Sequence, residues 1–250
     1  FFKIALSEVV RECSFTRNSE FKRFKMSESQ LKKFSPDVFG SFINKLTRNS
    51  AGLKDFNEIT HSTYSKIYDF NTVKGIPADI IAPESVDLVV TSPPYGDSRT
   101  TVVYGQFSRW ANEWFGFENA KNLDKLLMGG CVSHTRNFVT KSISTEHQSI
   151  KDIDSKRYDE VVSFLNDYHM SIKNVANVVR REGGICYVVG SRTVKGIQIP
   201  LDYLQLKCSK GKALLTTKQL FVIFPTRECR QKRVPQIKWV IKSLPCLMNL

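Results

Sequence analysis

Several things are scarce in this 250-residue chain. It has no run of eighteen apolar residues, so nothing in it reads as a membrane-spanning helix, and no charged-then-apolar stretch opens it as a secretion leader would. The six cysteines show no paired spacing of the zinc or redox kind, which leaves reduced thiols in a cytoplasmic setting as the expectation. His134 and His147 have no partner at metal-ligand spacing, and no metal is assigned. Acidic residues are scarce at one end. Residues 203–250 hold ten Lys or Arg against one acidic side chain, leaving 27 basic and 23 acidic residues in positions 1–202. The formal charge of +13 therefore sits mainly in the tail, the main body is only +4, and composition by itself is weak support for a polyanionic partner.

What is present suffices for one well-buried α/β core with a small helical lobe, since 41% of the residues are hydrophobic. The chain opens at Phe1, and Phe2, Leu6, Val9 and Cys13 already fall at helical spacing with no capping residue ahead. It is expected to begin inside a helix, as a fragment or a reading frame whose upstream part is missing. Residues 14–34 interleave Arg17, Lys22, Arg23, Lys25, Lys32 and Lys33 with Phe15, Phe21, Phe24 and Phe34. That is either a solvated loop or a segment facing DNA. Ser35-Pro36-Asp37 starts a helix with Phe39, Phe42, Ile43 and Leu46 as its apolar stripe, predicted to stop between Asn49 and Gly52.

Residues 60–85 are rich in loop signals, where Asp69 or Asn71 is a candidate to lie near a nucleoside, against a plain turn role. Phe107, Trp110, Ala111 and Trp114 step at helical spacing and are read as core. Gly129-Gly130 then breaks the pattern, and residues 131–153 read as a polar connector. Val161, Leu165, Tyr168, Ile172, Val175 and Val179 trace one face of a long helix ending at Arg180-Arg181, with Gly183-Gly184 as the turn into a buried strand over residues 185–189. Helix, tight turn and strand make a parallel crossover unit, which favours α/β over α+β.

The chain is organised around Val86-Asp87-Leu88-Val89-Val90-Thr91-Ser92-Pro93-Pro94-Tyr95-Gly96. Its apolar start predicts a buried strand, and two consecutive prolines, unable to donate ladder hydrogen bonds, stop it. A rigid loop with polar edges follows, and in an α/β sheet the crevice outside the carboxyl ends of the strands is where ligands bind. The residue types suit one chemistry in particular. An exocyclic amino group on a nucleobase is a poor nucleophile because its lone pair is delocalised, so its N–H bonds must be held while a methyl donor approaches. Ser92 offers a hydroxyl acceptor, and Pro93 offers a carbonyl whose direction Pro94 fixes. Tyr95 offers a flat face to a base that has left its stack.

Thr91-Ser92-Pro93-Pro94-Tyr95 after an apolar strand resembles the catalytic motif of DNA amino-methyltransferases that use S-adenosylmethionine. Ser in the first position, preceded by Thr, is similar to the cytosine-N4 branch, whereas the adenine-N6 branch more often has Asp or Asn. The resemblance continues through Gly96-Asp97-Ser98-Arg99-Thr100-Thr101, Tyr104-Gly105-Gln106-Phe107-Ser108 and Gly190-Ser191-Arg192-Thr193-Val194-Lys195-Gly196, and covers most of residues 1–202. It implies a Rossmann-like α/β fold with a parallel-rich sheet, incomplete here, and a helical N-terminal part. The domains expected are a helical, basic segment over residues 1–60, a catalytic core over 61–202 and a basic tail over 203–250. It implies Ser92, Pro93, Pro94 and Tyr95 as the catalytic set, S-adenosylmethionine as donor beside Asp69, Asn71, Thr91 and Ser92, and double-stranded DNA as partner. Arg99, Arg192 and Lys195 are candidate phosphate contacts. The implied activity is cytosine-N4 methyl transfer in a restriction-modification system. Adenine-N6 transfer, a non-catalytic DNA-binding remnant, and methylation of an amide or RNA base are the alternatives.

In this family a glycine-rich turn after a strand lets backbone approach the cofactor. This chain has none: Gly183-Gly184 follows a helix, and Gly190 leads into the basic loop. The turn is expected either upstream of Phe1 or on a second chain. From about Tyr203 the resemblance stops, and that tail holds half the cysteines. Back-translation of Pro225-Thr226-Arg227-Glu228-Cys229-Arg230-Gln231-Lys232-Arg233-Val234-Pro235 in a shifted frame permits Asn-Lys-Arg-Met-Pro-Ser-Lys-Thr-Ser-Pro, which is similar to the basic segment after the core in the family. A frameshift near residues 201–204 is therefore expected, with a tail that does not complete the sheet.

Overall fold

The computed structural model describes residues 1–18, 22–59, 64–96, 103–132, 144–190, 192–199, 219–225 and 239–243. The chain falls into two units, Phe1–Ile67 with Val102–Leu127, and Tyr68–Thr101 with Met128–Leu250. The boundaries therefore differ from those expected. Residues 102–127 join the N-terminal segment, and the tail joins the unit that holds residues 86–96.

In the first unit a helix does open the chain: α1 (Phe2–Glu12) buries Ala5 and Val9 and leaves Phe2 exposed. Parts of the stretch 14–34 are paired backbone rather than loop. Thr16 and Lys25 form an antiparallel bridge, Arg17 N donates to Phe24 O, and Met26 N donates to Phe15 O, so residues 15–17 run antiparallel to residues 24–26. Then comes α2 (Glu28–Lys33), started by a capping box in which Ser27 and Gln30 satisfy each other's otherwise unpaired backbone N–H groups.

Next, α3 (Val38–Ile59) begins where Ser35-Pro36-Asp37 predicts but runs straight through Gly52. One glycine costs a helix about 1 kcal/mol against alanine, too little to end it. Its expected stripe is not core: no α3 residue is buried, and Phe39 and Ile43 are exposed. Charge ties α3 to α1 instead. Lys45 Nζ lies 3.0 Å from Glu8 and 2.7 Å from Glu12, and Arg48 lies 2.6 Å from Glu8.

β1 (Val86–Thr91) belongs to the second unit, and α4 (Tyr104–Trp114) and α5 (Leu123–Leu126) return to the first. The Arg11 guanidinium lies 4.1 Å over the Phe107 ring and donates to Phe107 O at 3.2 Å. Of the set read as core on α4, Ala111 is buried and Trp110 half-buried, whereas Phe107 is 46% and Trp114 74% exposed. That reading is corrected for Phe107 and Trp114, because the helix packs by a narrower stripe than its aromatics span.

The second unit continues with α6 (Ser144–Ile153), α7 (Ser155–Val178), β2 (Val179–Val188), β3 (Arg192–Val194), β4 (Ile197–Ile199), β5 (Gln219–Pro225) and β6 (Trp239–Ser243). All six residues of the predicted α7 face, from Val161 to Val179, are buried. All but Val175 join Phe164, Ile185, Tyr187, Val189, Val194 and Ile199 in the core of this unit. The Asp154 carboxylate caps α7 by accepting from Arg157 N at 2.9 Å. One sheet runs in the order β1-β2-β5-β6, with β1-β2 and β2-β5 parallel and β5-β6 antiparallel; β3 and β4 form a separate hairpin. Its turn is Lys195-Gly196, both at positive φ, as a two-residue hairpin turn with matching twist demands.

Three expectations need correction here. The helix gives way to strand at Val179, and Gly183-Gly184 is not a turn but part of β2, where the β1-β2 register shifts between Val86 and Leu88. A Cβ on Gly183 would stand 2.7 Å from Val179 Cγ1 and 3.0 Å from Asp87 O, so glycine is there to let two strands approach at a bulge. Secondly, β1 is not buried on both faces. It is the sheet's edge, and Leu88 and Val90 are 58% and 66% exposed. Thirdly, the tail supplies β5 and β6 to the sheet, since its Leu220-Phe221-Val222-Ile223-Phe224 run has strong strand character.

Candidate active site

The parallel pairing of β1 with β2 sets where the chemistry can sit. Both strands end at the same edge, so the loop that leaves Thr91 and the loop that leaves Val188 emerge side by side. The structure brings the two together through glycine. The Tyr95 ring lies against Gly190, where a Cβ would be 3.0 Å from Tyr95 Cδ2. The Arg192 guanidinium lies against Gly96, close enough that any side chain at residue 96 would displace it. Within the motif, Ser92 Oγ and Tyr95 Oη are hydrogen-bonded at 2.9 Å. Thr91 and Ser92 are exposed, Pro93, Pro94 and Tyr95 half-buried, and Gly96 buried. A polar rim of hydroxyls therefore stands on a proline-stiffened, aromatic floor. Such a rim can accept hydrogen bonds from an amino group while the floor bears a planar ring.

The other expected site residues divide. Arg192, read as a phosphate contact, is only 7% exposed and lies 6.0 Å from the centre of the Phe164 ring, so its place is beneath the loop rather than on the surface. Lys195, at the tip of the β3-β4 hairpin, is ion-paired with Asp154 at 3.0 Å. The Arg157 backbone N–H and the Lys195 ammonium together hold Asp154 below the usual carboxylate range. Arg99 lies outside the described residues. Asn71 takes the turn role: its Oδ1 accepts from Val73 N at 2.9 Å. This turn is strapped to α7, because Thr72 Oγ1 is 2.7 Å from Ser171 Oγ, and Asn174 Nδ2 donates to Thr72 O at 2.8 Å. α7 leads directly into β2 and packs back along it, so its C-terminal half lies beside the starts of the strands, not their ends. Asp69, exposed, sits two residues before Asn71.

Sequence reasoning missed Gly190 and Gly96 as packing partners of Tyr95 and Arg192. The Gly-x-Arg spacing of Gly190 and Arg192 was visible, but its meaning depended on which loop it met. Among the described residues no glycine turn follows a strand at this edge in the form a nucleoside cofactor needs, and no cluster of His, Cys, Asp or Glu is placed to hold a metal. The hydroxyls and ring of this loop suit a planar partner that bears an amino group.

An α/β unit with parallel strands and a proline-stiffened Ser-Pro-Pro-Tyr loop at their carboxyl ends is the class that fold and site define. The chain is similar to the Type II methyltransferase M.MvaI of Kocuria varians, with 35% identity over 223 residues, which covers 82% of this chain and 48% of the relative. It spans about half the length of the curated relative it matches. No family model matches the chain, and no solved structure does. Nothing in the comparison supports the expected second chain. Among the described residues no helix is long and apolar enough to cross a membrane.

Proposed function

We propose that this chain is the acceptor-side part of an S-adenosylmethionine-dependent DNA methyltransferase that modifies the N4 amino group of cytosine in a specific duplex sequence. The observation that carries the reading is the Ser92-Pro93-Pro94-Tyr95 loop, with its Ser92–Tyr95 hydrogen bond, at the carboxyl edge of a parallel strand pair. The similarity to a Type II methyltransferase supports it; with it go, as parts of the same proposal, a restriction-modification setting, a Rossmann-like architecture and a cytoplasmic site of action. Ser92 and the Pro93 carbonyl accept the two N–H bonds of the target amino group, drawing its nitrogen lone pair out of the ring, and Tyr95 stacks on the extruded base. Arg192 holds the loop from below. The donor, when bound, would supply the methyl group and leave as the neutral thioether, one amino proton passing to solvent, and Thr91 and Ser92 are proposed to lie beside it. Ser in the first motif position favours cytosine over adenine.

Tritiated methyl donor offered with cytosine-containing and adenine-only duplexes tests the reading, using the chain joined to the missing half of a relative's length. Pro93→Ala and Tyr95→Ala should each lower transfer on the order of a hundredfold. Unchanged transfer in both variants sinks the assignment of the site. The second reading, a DNA-binding remnant without transfer, is favoured by the absence of a donor site among the described residues. Calorimetry with S-adenosylmethionine and the chain alone should show weak or no binding; micromolar binding would count against the remnant and against the acceptor-only reading alike.

A further inference from the structure

The first unit carries a second feature that the transfer chemistry does not use. We propose that the cleft between α4 and the paired segments 15–17 and 24–26 holds one unstacked nucleotide of a DNA strand, its base on Trp114 and its phosphate on Lys25 and Arg23. DNA as the polyanion rests on the functional reading above; the cleft itself stands on its own geometry. It has a volume of about 570 Å³ and is lined by Val10, Phe15, Arg23, Lys25, Trp110 and Trp114, among others. That size is within the range of small-ligand pockets, ~300–1,000 Å³.

The walls are flat and the rim is cationic. Trp110 and Trp114 are one helical turn apart on α4. Arg23 already stacks on the inner one, its guanidinium carbon 4.6 Å from the Trp110 ring centre, while Trp114 and, across the cleft, Phe15 (63% exposed) have their rings open to solvent. A single exposed aromatic needs no explanation, but two facing one cleft beside two cations do. This paired backbone is pinned to α4 by Arg23 N, which donates to Gln106 Oε1 at 3.3 Å. At the inner wall Arg23 Nε and Trp110 Nε1 are buried without a hydrogen-bond partner among the described residues.

The nearby carboxylates do not neutralise this rim. Glu113 is engaged by Arg109 at 2.7 Å, and Asp124 accepts from Gly105 N at 2.7 Å. Burial, and after it the like charge of Arg109, lower the Arg23 pKa, against the opposing pull of Glu113 and Asp124. A base reaches a flat aromatic wall only when it has left its own stack, and aromatic platforms bearing cations are how proteins hold such bases without reading their sequence.

The test uses the full chain with fluorescein-labelled oligodeoxythymidylate of twelve nucleotides and an abasic strand of the same length, followed by anisotropy. Trp114→Ala should weaken binding of the thymidylate about tenfold, within the range that base stacking supports, and leave the abasic strand unaffected. Trp114→Phe should restore most of the loss. Lys25→Ala should weaken both strands and lower the slope of log affinity against log salt by about 0.7. Both side chains are exposed, so the variants should keep the wild-type melting temperature. With the wild-type chain, a 2-aminopurine placed in the strand should lose fluorescence as it stacks. Equal affinity of Trp114→Ala and wild type for thymidylate, or unchanged 2-aminopurine emission, overturns the proposal. If those effects appear while no duplex is ever methylated, the cleft stands and the transfer reading falls; if transfer depends on residues 92–95 and Trp114→Ala binds normally, the reverse holds.

Discussion

Residues 86–90 and 185–189 look alike in sequence, two short apolar runs of the kind expected for buried strands, yet the fold treats them differently. In β2, Ile185 and Tyr187 face α7 and are buried, and Gly184, Cys186 and Val188 on the other face are half-covered. In β1, Val89 shares the α7 face beside Ile185, while Leu88 and Val90 point to the opposite face and are exposed. An apolar run therefore reports what a strand can bury, not what it does bury. That depends on neighbours on both faces and both edges, and parallel strands normally have all four.

The largest effect that sharpens this contrast lies on the covered side. Phe164, stacked on Tyr168 at 5.8 Å and almost fully buried, should cost about 3–5 kcal/mol when cut to alanine, measured by urea unfolding. Gly183→Ala comes next, at about 1–3 kcal/mol, because its Cβ would press on Val179 and the Asp87 carbonyl across the bulge. A cost near zero would mean the strands are not held that close.

A smaller effect should depend on pH. Burial pushes the Asp167 carboxyl above its usual range, against the opposing hydrogen bond from Gly129 N at 2.8 Å. A raised folded-state pKa means that the group's contribution is fully present below the ordinary carboxylate range and is lost as pH rises through the folded value. Asp167→Asn should therefore melt higher than wild type at neutral pH and match it near pH 3; a gap that widens on acidification would refute the assignment. The smallest effect belongs to the exposed face. Leu88→Ala should change stability by no more than about 0.5 kcal/mol. A loss as large as that of Phe164 would show that something covers Leu88 in solution.

The α7 stripe was legible because every residue on it obeys one period and one face, and helix periodicity survives without knowledge of the neighbours. The capping box at Ser27 and Gln30 was just as local, and it marks a helix inside a stretch read as loop. The stop assigned near Gly52 failed for an energetic reason: a single glycine is too weak a signal against a long helix. The inward face expected of the α3 stripe and core status for Phe107 and Trp114 failed for another. Their spacing is helical, but α3 meets α1 through ion pairs and α4 turns Ala111 inward.

The sequence alone determined the motif, the rigidity two prolines impose on it, the long helix and the strand it feeds, because these rest on covalent geometry and local period. Only the tertiary structure decided that Tyr95 meets Gly190, that Arg192 is buried against Gly96, and that Asn71 closes a turn on α7. Those are pairings between residues 95 to 102 positions apart, some of them between loops whose side-by-side placement follows from parallel strand register. No local rule carries such information, because a parallel pair is joined through a crossover and its register is set by the packing of the whole sheet.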